Sequence, residues 1–120
     1  MNENQNPKIE VERSGTLAVV SVAGRVVRDN QIRLRNELER LVFDGVTQLA
    51  IDLGKVDYMD SSGLGCCSSI HKLLSERAGA IAVFAATENV EKTWNLIRLD
   101  LVIPIYADRA KAVDWLSQRS

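Results

Sequence analysis

Short apolar runs alternate with helix-like segments along the chain, and this alternation limits the folds that it can adopt. The runs TLAVVSVAG (16–24), TQLAIDL (47–53) and AIAVFAA (80–86) carry a single charged residue between them. Runs of this kind are typical of strands that are covered on both faces of a sheet. Segments with apolar residues at helical spacing separate the runs. We therefore predict an α/β sandwich, with a mixed sheet of about four to five strands and about four α-helices.

The helix boundaries follow from capping residues. The first helix is expected to begin at Asp29 or Asn30 and to end at Gly45, since these residue types favour the two helix ends. The segment that begins at Val56 is expected to supply a loop before the second helix. The remaining helices are predicted at about 61–77, 87–97 and 108–118.

Two further strands and two tryptophans complete the predicted fold. Short strands are expected at about 9–11, on the sheet edge, and at 103–106. Trp94 is expected to lie on one buried stripe with Val90 and Ile97, and Trp115 to pack from the last helix. We interpret both tryptophans as core residues and not as cofactor contacts.

Composition limits the classes of partner. The chain has 120 residues and a net charge of −1, with 15 Lys and Arg against 16 Asp and Glu. We expect a single domain at 8–118 after a disordered tail at 1–7. The charge balance argues against a general nucleic-acid or membrane-surface binder. The chain shows no metal-ligand spacing and no dinucleotide or phosphate-loop motif, so no cofactor or metal is expected.

Cysteine usage and the N-terminus indicate the compartment. Cys66 and Cys67 are adjacent, a spacing that rarely meets disulfide geometry, so a reducing, cytoplasmic setting is expected. The polar start MNENQNPK does not resemble a signal peptide, and no apolar stretch approaches the ~20 residues of a membrane span. Both cysteines are interpreted as small core residues, with a redox role as the alternative.

The segment VDYMDSSGLG (56–65) contains more polar and flexible residues than a helix start requires. One of Asp60, Ser61 and Ser62 would suffice as an N-cap, and two glycines follow within the first turns. Gly63 and Gly65 each cost up to about 1 kcal/mol relative to Ala in a helix. Close helix-to-sheet packing would explain them, and so would an accessible surface for a partner.

A serine at a helix N-terminus can carry a phosphate without unfolding the helix. Free N–H groups and the positive end of the helix dipole favour the added charge there by ~0.3–1 kcal/mol. Burying a charge of about −1.5 to −2 in a fitted interface costs several kcal/mol unless it is paired. A phosphate at this position is therefore expected to act mainly on binding.

These residues resemble a known signature. The strand TQLAIDL followed by VDYMDSSGLG resembles the signature of the STAS domain family, and specifically that of its single-domain bacterial anti-sigma factor antagonists. The C-terminal pattern WNLIRLDLVIPIYADRAKAVDWL resembles the last two helices of the family around a short strand. The likeness extends from about Lys8 to Leu116.

The resemblance implies a partner-switching function without enzymatic activity. In that family, the unphosphorylated antagonist binds an anti-sigma factor that is itself a GHKL-type, ATP-dependent serine kinase, and a sigma factor is released. Phosphorylation of the first serine after the Asp, here Ser61, ends the complex, and a PP2C-type serine phosphatase restores it. ATP, magnesium and catalytic residues belong to the partner, and Ser62 is expected to be a structural hydroxyl.

The resemblance also implies which residues contact the partner. They come from the loop after the second strand, from the signature segment and from the start of the helix: Arg25, Arg28, Asp29, Tyr58, Met59, Asp60, Ser61, Ser62, Gly63 and Leu64. Many members of the family have carboxylates where this chain has Arg25 and Val27. This departure bears on which kinase is recognised and on the polarity of the contact. A monomer or weak dimer is expected.

Two alternatives compete with this function. A structural STAS module, in a stressosome-like complex or a lipid-transport complex, would use the same fold without a phosphorylation switch. A hydrolase would need a base near Ser61, but the single histidine, His71, lies ten residues further along the predicted helix. If the helix is continuous, that separation corresponds to about 15 Å and excludes direct proton transfer.

Overall fold

A computed structural model of the chain describes residues 6–119, and in this part five strands form one sheet flanked by four α-helices. The strands are β1 (Lys8–Ser14), β2 (Leu17–Val26), β3 (Gln48–Met59), β4 (Ala80–Phe84) and β5 (Ile105–Tyr106). The helices are α1 (Gln31–Phe43), α2 (Ser61–Ser75), α3 (Glu88–Leu96) and α4 (Arg109–Ser117), and a 3₁₀ turn (Leu99–Leu101) follows α3. The predicted α/β sandwich with a mixed sheet is confirmed. Most of the predicted tail, residues 1–5, lies outside the described residues, whereas Pro7 is buried.

The strands lie in the sheet in chain order, from β1 to β5. β1 pairs with β2 antiparallel, and all later neighbours are parallel. Parallel neighbours need crossover connections, which α1, α2 and α3 provide. These three helices share one buried core with one face of the sheet, while α4 packs against the other face. Since β2 and β3 run in the same direction, their carboxyl ends meet at one edge, and α1 and α2 begin there.

β3 is longer than the sequence pattern predicts. The sequence analysis ends this strand at Leu53, but it continues to Met59, so the assignment of 56–59 to a loop is wrong. The extension pairs with the end of β2, and the register shifts twice because β3 carries an extra residue at each shift. Such bulges re-aim side chains near functional sites. Here they place Tyr58 opposite Arg25, while Met59 is buried opposite Val26.

The stripe predicted for α3 is correct for two of its three residues. Val90 and Trp94 are buried, and the Trp94 indole Nε1 donates to the carbonyl oxygen of Ile103 at 3.1 Å. Ile97 is wrong as a core residue, since 53% of it is exposed. It follows the last residue of α3 and so leaves the helical face on which the stripe lies. Trp115 is half-buried, with its ring centroid 6.1 Å from that of Tyr106.

The two glycines of α2 have different surroundings. A Cβ added at Gly63 would lie 2.5 Å from the Met59 Cγ and 2.8 Å from the Val26 carbonyl oxygen. Gly63 therefore allows α2 to approach the ends of β2 and β3. Close helix-to-sheet packing, and not an accessible surface for a partner, explains this glycine. A Cβ at Gly65 would meet nothing within 4 Å. No contact within the described chain requires glycine at position 65.

This difference predicts opposite effects for two identical substitutions. Gly63→Ala should lower the free energy of unfolding by about 1–3 kcal/mol, because the methyl group must displace backbone as well as Met59. Gly65→Ala should raise it by up to about 1 kcal/mol, since alanine is the better helix former. Urea denaturation of the two variants and the wild type measures both values. Equal effects of the two substitutions would contradict the packing described here.

Candidate functional site

The Asp60 carboxylate organises the start of α2. Asp60 occupies the N-cap position, and its Oδ1 accepts hydrogen bonds from the backbone N–H groups of Ser62 at 2.9 Å and Gly63 at 3.1 Å. Its Oδ2 accepts from the backbone N–H of Arg28 at 3.0 Å. The Asp60 N–H donates to the Val26 carbonyl oxygen at 3.2 Å. One side chain therefore joins the beginning of α2 to the loop between β2 and α1.

The loop between β2 and α1 is also held from within by Asn30. This residue is 4% exposed; its Oδ1 accepts from the Val27 N–H at 2.9 Å and its Nδ2 donates to the Arg25 carbonyl oxygen at 3.0 Å. The predicted cap position is therefore correct, but the Asn30 side chain makes no capping bond to α1 and turns back into the loop instead. Buried polar groups with satisfied hydrogen bonds fix a conformation. Helix periodicity does not predict that the Asn30 side chain holds this loop.

Arg25 and Tyr58 form a contact on the outside of the same edge. The Arg25 guanidinium carbon lies 5.3 Å from the centroid of the Tyr58 ring, a cation–π arrangement. Both side chains are exposed, Tyr58 by 43%. The paired positions of the two residues on β2 and β3 produce this contact. The sequence analysis named both residues but did not predict that they touch.

The predicted site residues divide by exposure. Those with exposed side chains are Arg25, Arg28, Asp29, Tyr58 and Ser61. Asp60 and Ser62 are partly buried, and Met59, Gly63 and Leu64 are buried. Ser61 is the first residue of α2, directly after the cap. The edge therefore presents one exposed serine hydroxyl beside two arginines and an aspartate, supported by buried residues beneath.

Cys66 and Cys67 lie inside the fold, on the second turn of α2. Both are fully buried and unpaired by any disulfide. Burial raises the pKa of the Cys66 thiol to about 11, although the nearby Arg35 opposes this shift. Burial also raises the pKa of Cys67. Reactive thiols have lowered pKa values and access to solvent, so the core interpretation of both cysteines holds and the redox alternative loses its support.

The position of His71 argues against this residue as the base of a Ser61 hydrolase. α2 is one continuous helix from Ser61 to Ser75, as the predicted separation of Ser61 and His71 assumes. Ten residues of helix separate the two positions by about 15 Å along the helix axis. His71 is therefore out of reach as a base for Ser61.

Asp60→Ala should destabilise the fold more than an ordinary cap removal. Asp108 caps α4 and accepts one backbone N–H, that of Lys111, whereas Asp60 accepts three. We expect Asp108→Ala to cost about 1 kcal/mol and Asp60→Ala to cost about 2–4 kcal/mol, because the Arg28 N–H also loses its acceptor. Urea denaturation compares the two variants. Equal losses would show that the bond to the loop contributes nothing.

The raised thiol pKa values predict a loss of stability at alkaline pH. The unfolded chain releases the Cys66 proton near the ordinary thiol pKa, while the folded chain retains it to about pH 11. The contribution of Cys66 is therefore complete below about pH 8.5 and decreases by up to about 3 kcal/mol towards pH 11. Urea denaturation between pH 8 and 10.5 should show a steeper decline for the wild type than for Cys66→Ala. Rapid alkylation of the folded protein by iodoacetamide at pH 8 would contradict the assignment.

No helix within residues 6–119 combines the length and apolar character needed to cross a bilayer.

Comparison with known proteins places the fold in a family. The STAS domain family matches residues 8–112. The anti-sigma F factor antagonist of Paenibacillus polymyxa is 24% identical over 112 residues, which cover 92% of this chain and 96% of that protein. A crystal structure of an anti-sigma factor antagonist from Mycobacterium paratuberculosis has a TM-score of 0.86 and 24% identity, with 98% of this chain and 99% of that chain covered.

A second solved structure is the Bacillus cell fate determinant SpoIIAA in its phosphorylated form. It has a TM-score of 0.72 and 19% identity, covering 90% of this chain and 98% of that chain. At such identities, the two structures establish the shared fold. The family match spans most of the sequence and agrees with that fold, so this chain belongs to the STAS domain family.

Proposed function

We propose that this protein is an anti-sigma factor antagonist that acts by partner switching. Its unphosphorylated form binds an anti-sigma factor, which is also a GHKL-type serine kinase, and thereby frees a sigma factor. Phosphorylation of Ser61 ends that complex. The observation that carries the proposal is the position of Ser61, exposed at the first residue of α2 and set directly after a cap that is bonded to the neighbouring loop. The Paenibacillus relative is named an anti-sigma F factor antagonist, which supports the proposal.

The chemical step belongs to the partner, and this chain supplies the acceptor. The Ser61 Oγ forms a bond to the γ-phosphorus of ATP, the bond to the bridging oxygen breaks, and ADP leaves. The hydroxyl proton passes to a base of the kinase. Hydrolysis of the phosphoserine by a PP2C-type phosphatase returns the hydroxyl and releases inorganic phosphate. The antagonist itself thus acts as a ligand and a substrate.

The local structure favours an effect on binding and not on folding. Asp60 and Asn30 satisfy their hydrogen bonds without the Ser61 hydroxyl, so the loop and the helix start do not depend on it. A phosphate on an exposed helix N-terminus is tolerated, while the same charge enclosed in an interface costs several kcal/mol. The modified protein therefore stays folded and loses its partner.

The proposed contact surface consists of the exposed members of the predicted site, Arg25, Arg28, Asp29, Tyr58 and Ser61. Asp60 and Ser62 border it, while Met59, Gly63 and Leu64 support it from beneath. We place the function in the cytoplasm, where the sigma factor and kinase would act, without direct contact to nucleic acid or insertion into a membrane. The protein needs no cofactor of its own for this function.

Phosphorylated Ser61, and to a lesser degree Ser61→Asp, should weaken binding to the cognate anti-sigma factor by about 10²-fold or more, equivalent to about 3 kcal/mol. The reason is the added charge of about −1.5 to −2 that the interface would have to enclose. Isothermal titration calorimetry measures the affinity, and circular dichroism checks that the fold is intact. Ser75→Ala, an exposed serine at the other end of α2, is the matched control and should bind within a few-fold of the wild type.

A structural STAS module would give a different result in the same titration. Its assembly would not depend on the state of Ser61, so phosphorylated and unphosphorylated protein would bind their partner equally. That outcome would refute the switching proposal and favour the structural alternative.

A further inference from the structure

Arg25 and Arg28, on the same edge as Ser61, take part in no ion pair within the part of the chain that the structure describes. The ion pairs within residues 6–119 join Arg13 to Asp44, Arg40 to Glu37, Arg98 to Asp100 and Arg109 to Glu12. Arg25 and Arg28 are exposed and belong to none of these pairs. Arg25 contacts the ring of Tyr58, and the backbone N–H of Arg28 donates to Asp60. Both guanidinium groups therefore remain available for an anion.

The backbone fixes both arginines close to the serine. The Arg28 N–H is bonded to the carboxylate of Asp60, the residue before Ser61, and the Val26 carbonyl oxygen is bonded to the Asp60 N–H. Arg25 lies against Tyr58, three residues before Ser61, on the adjacent strand. The Arg28 backbone thus lies one hydrogen bond away from the residue that precedes Ser61.

We propose that Arg28, assisted by Arg25, forms an intramolecular binding site for the phosphate of phosphorylated Ser61, and that before modification the same two guanidinium groups contact an acidic surface of the partner. This inference rests on the proposed function. Arginine matches the planar geometry of both phosphate and carboxylate, so the two anions compete for the same donors. Phosphorylation then acts twice, since it adds a dianion to the surface and removes the cations that the partner needs.

The acidic groups around the serine oppose the phosphate and must be included. The Asp60 carboxylate already accepts three backbone N–H groups, which offset its charge. Asp29 and Asp57 are exposed near the same edge. Because these carboxylates repel a phosphate, the arginines are needed as counter-ions. Removal of one such carboxylate should change the phosphate pKa in the opposite direction to removal of an arginine.

The phosphate-binding site can be tested without any kinase. Phosphoserine is introduced at position 61 during translation, and ³¹P NMR follows its second ionisation, which has a pKa of about 6 in an unperturbed phosphoserine. Pairing with a guanidinium favours the dianion and lowers this pKa. We expect Arg28→Gln to raise the pKa by about 0.5 relative to the wild type, and Arg25→Gln to raise it by less.

Two control variants separate pairing from general electrostatics. Arg40→Gln removes one positive charge from the last turn of α1, at the end far from Ser61, and should leave the pKa unchanged. Asp29→Asn removes a repelling carboxylate and should lower the pKa. Denaturation midpoints verify that each variant is folded. A pKa that is the same in the wild type, Arg28→Gln and Arg25→Gln overturns the proposed site.

The acidic partner surface is tested with unphosphorylated protein. Arg28→Glu should weaken binding to the anti-sigma factor by about tenfold or more, and raising the salt concentration should reduce the difference from the wild type. Unchanged affinity overturns the acidic-surface assignment. The proposed function fails on a separate result, equal affinity of phosphorylated and unphosphorylated wild type, so the two failures are distinguishable.

Discussion

The carboxylate of Asp60 is the interaction on which the geometry of this edge depends. It accepts N–H groups from two positions in α2 and from one in a loop more than thirty residues earlier in the chain. Hydrogen bonds to charged groups contribute about 1.5–3 kcal/mol each, more than neutral ones. Because the three donors are backbone atoms, the link fixes the path of the chain and leaves neighbouring side chains free. The serine that follows is held in place without using its own hydroxyl.

The sheet brings the two ends of this link together. β2 and β3 are parallel neighbours, so the segments that leave them begin at the same edge. The two extra residues of β3 carry the strand on to Met59, which is buried opposite Val26, and Gly63 then lets α2 pack onto that pair. A side chain at position 63 would separate the helix from the sheet and lengthen the bonds of Asp60. Gly63 and Asp60 are therefore both needed to hold the start of α2 against the sheet.

The sequence predicted the architecture better than the details of the edge. Apolar runs and helical spacing identified the sheet and its helices, since burial imposes these periods directly. The extension of β3 was missed because Gly54 and Asp57 have low strand propensity, and only pairing with β2 makes the segment a strand. The bracing by Asn30 and the contact of Arg25 with Tyr58 join residues whose proximity is set by tertiary structure. Local sequence patterns do not predict such contacts.

The hydrogen bonds that order this edge explain how one small modification can control binding. Where a loop becomes ordered only on binding, its loss of entropy opposes association, and a modification can act through either order or contact. Here Asn30 and Asp60 order the edge in the free protein through their own hydrogen bonds. The backbone of this loop therefore has little freedom left to lose on docking, so contact and charge dominate the affinity. A group of charge about −1.5 to −2 at this position changes the binding free energy directly.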